Sequence, residues 1–134
     1  MILVDSSVWI DYFNGKSTPE TDRLDIVLGA EPVCLGDLIL AEVLQGFRQD
    51  KDYKTAKQLL TSLTVFDLIG TDMAIKCAEN FRLLRKKGIT IRKTTNVIIA
   101  TFCIEHELPL LYSDKDFEPF HKHLKMRNAL SLPF

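Results

Sequence analysis

The sequence predicts an α/β domain in which a mostly parallel central sheet is covered by helices on both faces. Two observations carry this. Short apolar runs of strand length alternate along the chain with longer segments at helical spacing. The first of those runs, ILV at 2–4, is continuously apolar, as a strand buried on both faces has to be. A third observation, the absence of an internal repeat, a low-complexity tract or a linker, predicts a single domain over residues 1–134.

Residues 2–4 form the first strand, stopped by Asp5, Ser6 and Ser7. A short helix follows over 8–13 and breaks at Asn14-Gly15. Leu24, Val27 and Leu28 give residues 21–28 a helical spacing, and Gly29 ends that segment. Residues 32–35 are the second strand. Asp37 is placed to cap a helix through Leu38, Ala41, Glu42, Leu44 and Gln45. Gly46 and the charged stretch 48–52 then break the chain before a helix over 53–63, and 64–69 is β-rich. Residues 72–87 are strongly helical, with Arg85, Lys86 and Lys87 in the last turn, where cations complement the helix dipole, and Gly88 beyond it. After Thr95 comes a helix to about His106, capped by Thr94 or Thr95. Residues 109–112 make a strand that ends at Ser113-Asp114, and the weakly defined tail holds a short strand near 127–130.

A chain of 134 residues buries roughly two thirds of its unfolded surface, so a core forms without staples. The formal net charge of −1 argues against holding nucleic acid by bulk electrostatics, which leaves only local contact with it. Cys34, Cys77 and Cys103 are odd in number, far apart and beside apolar residues, a pattern of buried reduced thiols in preference to a disulfide or zinc site. The start MILVDSSVW lacks the basic flank and long apolar stretch of a secretory signal, and no later run approaches the ~20 apolar residues of a membrane span. The expectation is a cytoplasmic protein with no membrane segment.

Ligands of parallel sheets gather at the carboxyl ends of strands, and two strands here end in acid, at Asp5 and at Asp114. Each alone reads equally as a strand terminator or helix cap. If the strands are neighbours, two carboxylates come together. Glu42 lies among Leu38, Ile39, Leu40, Ala41, Val43 and Leu44, where a buried charge needs a partner and an exposed one is ordinary. Converging carboxylates repel, and a divalent cation is the usual remedy. Hard oxygen ligands without a His or Cys set point to Mg²⁺ or Mn²⁺. Such a site suits phosphodiester hydrolysis, because the ion lowers the pKa of water and stabilises charge building on phosphoryl oxygens.

Four segments in order, ILVDSSVWIDYF, LILAEVLQGF, IRKTTNVIIATFCIEHELPLL and YSDKDF, make the chain resemble the PIN-domain ribonucleases of the VapC type, toxins of bacterial and archaeal toxin–antitoxin pairs. The resemblance covers essentially the whole chain. It implies a PIN-like fold and a Mg²⁺- or Mn²⁺-dependent endoribonuclease acting on structured RNA such as tRNA. It also implies a homodimer and a VapB-type antitoxin that covers the acidic pocket. The family's first acid maps to Asp5, its helical glutamate to Glu42 and its fourth acid to Asp114, with Asp116 as an accessory metal ligand. Ser6 or Ser7 matches the hydroxyl residue that helps to hold the first acid.

The departure is Asn96, which stands where the family has an aspartate opening the helix. Asparagine has nearly the same shape but no charge, so it offers one carbonyl oxygen and cannot neutralise a cation or act as a base. Two readings follow: a nuclease weakened or inactivated at residue 96, or a catalytically dead binding module that works through antitoxin binding and operator repression. A phosphatase or DNA nuclease would share the same acids.

Arg82, Arg85, Lys86, Lys87, Arg92 and Lys93 form the densest basic segment. It suits RNA phosphates or an acidic antitoxin tail as well as it suits a solvated helix end. His121 and His123 have a metal-like spacing but no third ligand nearby in sequence, and read as a surface pair. Trp9, Tyr12 and Phe13 cluster with Val8 and Ile10 and read as core or dimer-interface residues. Leu40, Val43, Leu44 and Phe47 are apolar enough to line a partner groove.

Overall fold

The protein is described by a computed structural model over residues 1–132. Its elements in chain order are β1 (Ile2–Val4), α1 (Ser6–Phe13), α2 (Pro19–Val27), β2 (Val33–Gly36), α3 (Asp37–Leu44), α4 (Asp50–Ser62), β3 (Thr64–Phe66), α5 (Thr71–Lys86), α6 (Thr94–Glu105), β4 (Leu110–Leu111) and α7 (Glu118–His123). Single 3-10 turns lie at Lys115–Phe117 and Ala129–Ser131. The expected α/β architecture with a parallel sheet is present.

The sheet has four strands in the order β3-β2-β1-β4, every pair parallel. From β1 the chain moves outward through β2 to β3, then crosses to the opposite edge to place β4 beside β1. Parallel crossovers are right-handed in nearly all proteins, so opposite directions of travel put the connecting helices on opposite faces. α1 packs on α2 and α3, α3 also on α4, and α5 packs on α6. The strands β1 and β2 are buried throughout, which is why their sequences are continuously apolar. α6 is buried from Asn96 to Cys103 without an exposed face, so its apolar residues run all round the helix. Among the described residues, no helix is long and apolar enough to cross a membrane.

Several expected boundaries move, each for a physical reason. The first helix begins at Ser6, not 8, because the Asp5 carboxylate accepts the Ser7 backbone N–H and caps it. α2 begins at Pro19, ahead of the expected 21, where Thr18 and Thr21 exchange side-chain and backbone bonds in a capping box. α4 starts at Asp50, so the charged stretch read as a break is its first turn. Asp37 is not a cap: it is the first residue of α3, and its Oδ1 accepts from Leu38 N (2.8 Å) and from Leu68 N (3.2 Å), tying the chain after β3 to α3. β3 stops at Phe66, short of the β-rich 64–69 expected. No strand forms over 127–130. Asn128 makes one parallel bridge to Leu110 and then caps a 3-10 turn through its side chain.

Trp9 is fully buried, stacked on Phe13 at 5.9 Å between centroids and edge-on to Tyr12 at 6.1 Å, so it serves the core. All three cysteines are free and buried, and burial pushes the Cys34 thiol up to about 11 and Cys103 upward as well, which keeps them protonated. Gly36 ends β2 directly beneath Leu68, whose side chain is fully buried. A Cβ at position 36 would meet Leu68 Cδ1 at 2.3 Å. Gly36→Ala is therefore expected to destabilise the fold by about 1–3 kcal/mol through overpacking. Gly29→Ala, where a Cβ meets nothing within 4 Å, should stay within about 0.5 kcal/mol of the parent. Urea unfolding of both variants checks the contrast.

Candidate active site

The strand order reverses between β1 and β4, and open parallel sheets bind ligands in the crevice at such a point. Asp5 leaves β1 in extended conformation, and its N–H donates to Leu111 O at 2.9 Å, so its backbone is fixed by the neighbouring strand. Oδ2 accepts from Ser7 N (3.0 Å) and Ser7 Oγ (2.6 Å). Ser7 Oγ in turn accepts from Ser113 N at 3.2 Å, which ties the ends of β1 and β4 together. Ser7, not Ser6, therefore supplies the hydroxyl that holds the acid. The other oxygen, Oδ1, is buried without a hydrogen-bond partner.

Burial pushes the Asp5 carboxyl up from 3.8 to about 6, the Ser7 bonds pull it down, and the charge of Glu42 adds to the rise. Glu42 projects from α3, half-buried, and its Oε1 is likewise buried without a partner. Each unpaired acceptor costs roughly 1–3 kcal/mol, so two beside one crevice make a notable expense of stability.

The second half of the site is built at the start of α6. The expectation that Thr94 or Thr95 caps this helix is not met: the cap residue is Lys93, with no side-chain cap bond. The anchoring carboxylate comes from Asp116, whose Oδ1 accepts from Arg92 N (3.2 Å) and whose Oδ2 accepts from Lys93 N (3.4 Å). Asn96 lies within α6 and faces the same carboxylate, with Nδ2 donating to Asp116 Oδ2 (2.9 Å) and to Asp114 Oδ2 (3.3 Å). Asp114 Oδ1 accepts from Asp116 N at 3.0 Å, an Asx turn that sets the geometry of the pair. The Arg92 guanidinium stands 3.9 Å from each of the two acids.

Asp116 is thus saturated with donors and Asp114 partly so, whereas Asp5 and Glu42 each keep a buried oxygen free. Free hard oxygens of this kind fit Mg²⁺ or Mn²⁺. Among the described residues, no three His, Cys, Asp or Glu side chains gather closely enough to hold a metal ion. Position 96 explains part of that, since an acid there would complete a carboxylate trio with Asp114 and Asp116.

Arg82, Arg85, Lys86, Lys87 and Lys93 are exposed, and Arg92 is the one member of the basic segment that is ion-paired among the described residues. Sequence reasoning placed Arg92 with that outward set and missed its position over the acids. It also missed Asp116 as the anchor of α6, a contact 23 residues long that no local pattern announces. The D-x-D spacing of 114 and 116 was the available signal for the Asx turn. His121 and His123 are exposed, and His121 Nδ1 lies 2.7 Å from Met126 O.

Comparison with known proteins adds to this geometry. Residues 2–122 match the PIN domain family. The chain is 30% identical over 123 residues to Ribonuclease VapC11 of Mycobacterium tuberculosis, covering 88% of this chain and 90% of that one. Among solved structures it resembles VapBC2 of Rickettsia felis, bound to a DNA fragment from their promoter, with a TM-score of 0.69 at 16% identity over 88% of this chain and 91% of that one. It also resembles VapC20 of M. tuberculosis, a Sarcin-Ricin loop cleaving toxin, with a TM-score of 0.65 at 17% identity over 88% and 93% of the two chains. At those identities the structural matches bear on the fold alone.

The raised Asp5 carboxyl gives a pH dependence with a definite sign. Protonation favours the folded state, so the stabilising contribution is full below about pH 4 and is lost as pH rises through about 6. Asp5→Asn keeps an acceptor for Ser7 and removes the ionisation. In EDTA it should match the parent near pH 4 and exceed it by up to about 3 kcal/mol at pH 7.5. Thermal unfolding across that range decides it, and a gap that does not widen with pH would contradict the buried-charge account.

Proposed function

The chain belongs to the PIN-domain family, in its VapC branch, and from that premise we propose that it is a divalent-cation-dependent endoribonuclease, the toxin of a type II toxin–antitoxin pair. The observation that carries this reading is the pair of buried, unpartnered carboxylate oxygens, Asp5 Oδ1 and Glu42 Oε1, beside the crevice where the strand order reverses. The relative named Ribonuclease VapC11 supports RNA as the substrate, and structured RNA such as tRNA is the form proposed here. A VapB-type antitoxin, a homodimer and a cytoplasmic location complete the proposal. Solved neighbours described as VapBC assemblies support the first of these.

In this reading Asp5, Asp114 and the carbonyl oxygen of Asn96 would hold Mg²⁺ or Mn²⁺, with Asp116 as an accessory that fixes Asp114 and residue 96. The cation, when bound, offsets the ionised acids and polarises water and the phosphoryl group for hydrolysis. Glu42 would offer its unpartnered oxygen to the cation or to the attacking water. Ser7 keeps Asp5 in one orientation, with Ser6 contributing through its backbone, and so leaves Oδ1 without a partner. Hydrolysis forms a bond from water oxygen to phosphorus as the bond to the leaving ribose oxygen breaks. Arg82, Arg85, Lys86, Lys87, Arg92 and Lys93 contribute phosphate or antitoxin contacts on the adjoining face.

One observation favours the second reading, a non-catalytic binding module that represses its operator with its antitoxin. Asn96 turns its amide nitrogen, not its oxygen, to Asp114 and Asp116, and so satisfies them without a cation. Asn96→Asp separates the two readings. In EDTA the added charge should lower Tm by several degrees, and Mn²⁺ should restore it. With Mg²⁺ the variant should cleave RNA at least about tenfold faster than the parent, and no gain on any cellular RNA would favour the binding module. Mapping the 5′ ends of cut RNAs addresses substrate, since intact RNA beside nicked DNA would move the assignment to a DNA nuclease.

The basic face is tested by Arg85→Ala combined with Lys86→Ala. Affinity for RNA or for the antitoxin should fall about threefold to tenfold at low salt, with the difference fading near 0.5 M. Filter binding across a salt series measures it, and unchanged affinity for both partners would return these residues to a solvated helix end.

A further inference from the structure

Arg92 has a fixed root and a free head. Its N–H donates to Asp116 Oδ1 at 3.2 Å and Ile91 before it is buried, so its backbone is pinned. Its side chain is 77% exposed, against 21% for Asp114 and 7% for Asp116. The guanidinium meets them only as charge, with Nη2 3.9 Å from Asp114 Oδ1 and Nε 3.9 Å from Asp116 Oδ1, beyond hydrogen-bonding range. Contacts this loose and this wet are readily given up.

We propose that Arg92 is the built-in counter-ion of the Asp114–Asp116 pair, displaced when a divalent cation loads the crevice and then free to act as a positioning residue for a phosphate of the bound RNA. The proposal rests on the cation-dependent nuclease reading above. Two positive charges cannot share the same acids without loss, so the guanidinium weakens cation binding while it stays in place. Once expelled, it remains within one side-chain length of the crevice because its backbone is held. Its planar fork then suits two phosphate oxygens better than a lysine would. Cation and RNA binding are coupled through this one side chain, and by linkage each strengthens the other.

Mn²⁺ titration calorimetry on the full chain tests the first half, comparing the parent with Arg92→Ala, Arg92→Lys and Lys93→Ala. Arg92→Ala should bind Mn²⁺ about twofold to fivefold tighter. Arg92→Lys should stay near the parent. Lys93→Ala removes an equal charge one residue away, from a side chain not paired with a carboxylate among the described residues, and should shift affinity less than twofold. The same comparison on the Asn96→Asp background serves where the parent binds too weakly to measure. A phosphorothioate RNA hairpin, bound with Mn²⁺ and with EDTA, tests the second half. Arg92→Ala should lose about threefold or more in affinity with Mn²⁺ and little in EDTA. Equal Mn²⁺ affinity with and without the Arg92 guanidinium would overturn the counter-ion while leaving the nuclease reading intact. An equal RNA loss in Mn²⁺ and EDTA would overturn the outward swing. No Mn²⁺ binding by the parent, Arg92→Ala or Asn96→Asp would overturn the cation site and this inference with it.

Discussion

The pairing of β1 with β4 is the constraint on which the rest of the molecule depends. β4 is only two residues long, yet the preceding Pro109 O and its own Leu111 O receive the N–H groups of Leu3 and Asp5. Because β4 sits on the far side of β1 from β2, the chain has to cross the whole sheet to reach it, and α5 and α6 are carried to the opposite face from α1 to α4. The same crossing brings the start of α6 to the carboxyl ends of the strands. Asp5, Asn96 and Asp114 belong to three different elements, and this one topological reversal collects them.

What the collection costs is electrostatic. Four acids, Asp5, Glu42, Asp114 and Asp116, serve one region, and each is handled differently. Asp116 is occupied by backbone donors and becomes structural, since it holds the Arg92 and Lys93 N–H groups just ahead of α6. Asp114 shares the Asn96 amide and a loose guanidinium. Asp5 is half satisfied by Ser7, and its remaining oxygen, like that of Glu42, is left without a partner. A protein selected for stability alone would have satisfied or removed those two groups. Trp9 Nε1 is also buried without a hydrogen-bond partner, but Asp5 and Glu42 are the acids so left, and their charges act on one another, which marks the place where local rules yield to function.

Much of this was legible in the sequence because the signals were local. The continuous apolar run at 2–4, the spacing in α5 and Gly88 after its last basic turn each follow from neighbours a few residues apart. The acids at the strand ends were legible for the same reason. The misread parts are those settled at long range. Asp37 looked like a cap because it precedes a helix, but its carboxylate is drawn 31 residues ahead to Leu68 N. The threonines before Asn96 looked like a cap for α6, but the helix carries no side-chain cap, and Asp116, from beyond β4, instead holds the Arg92 and Lys93 N–H groups just ahead of it. Local propensity cannot rank a nearby threonine against a distant aspartate, since the choice depends on which group the fold delivers.

Residue 96 shows how one atom changes what such a site can be. An aspartate there would place a third carboxylate against Asp114 and Asp116, and the trio would need an outside cation to coexist in a buried setting. Asparagine replaces an acceptor with an N–H donor in nearly the same volume, and that donor reaches both acids at once. The chain therefore folds around a site that is electrostatically closed on the Asp114–Asp116 side and open on the Asp5–Glu42 side. Turning the amide over would present its oxygen to a cation but would also set that oxygen against two carboxylates. With asparagine the rearrangement becomes favourable only when a cation is there to offset the repulsion. The side chain at 96 thus exchanges standing affinity for metal against stability in its absence, and this follows from hydrogen-bond chemistry alone.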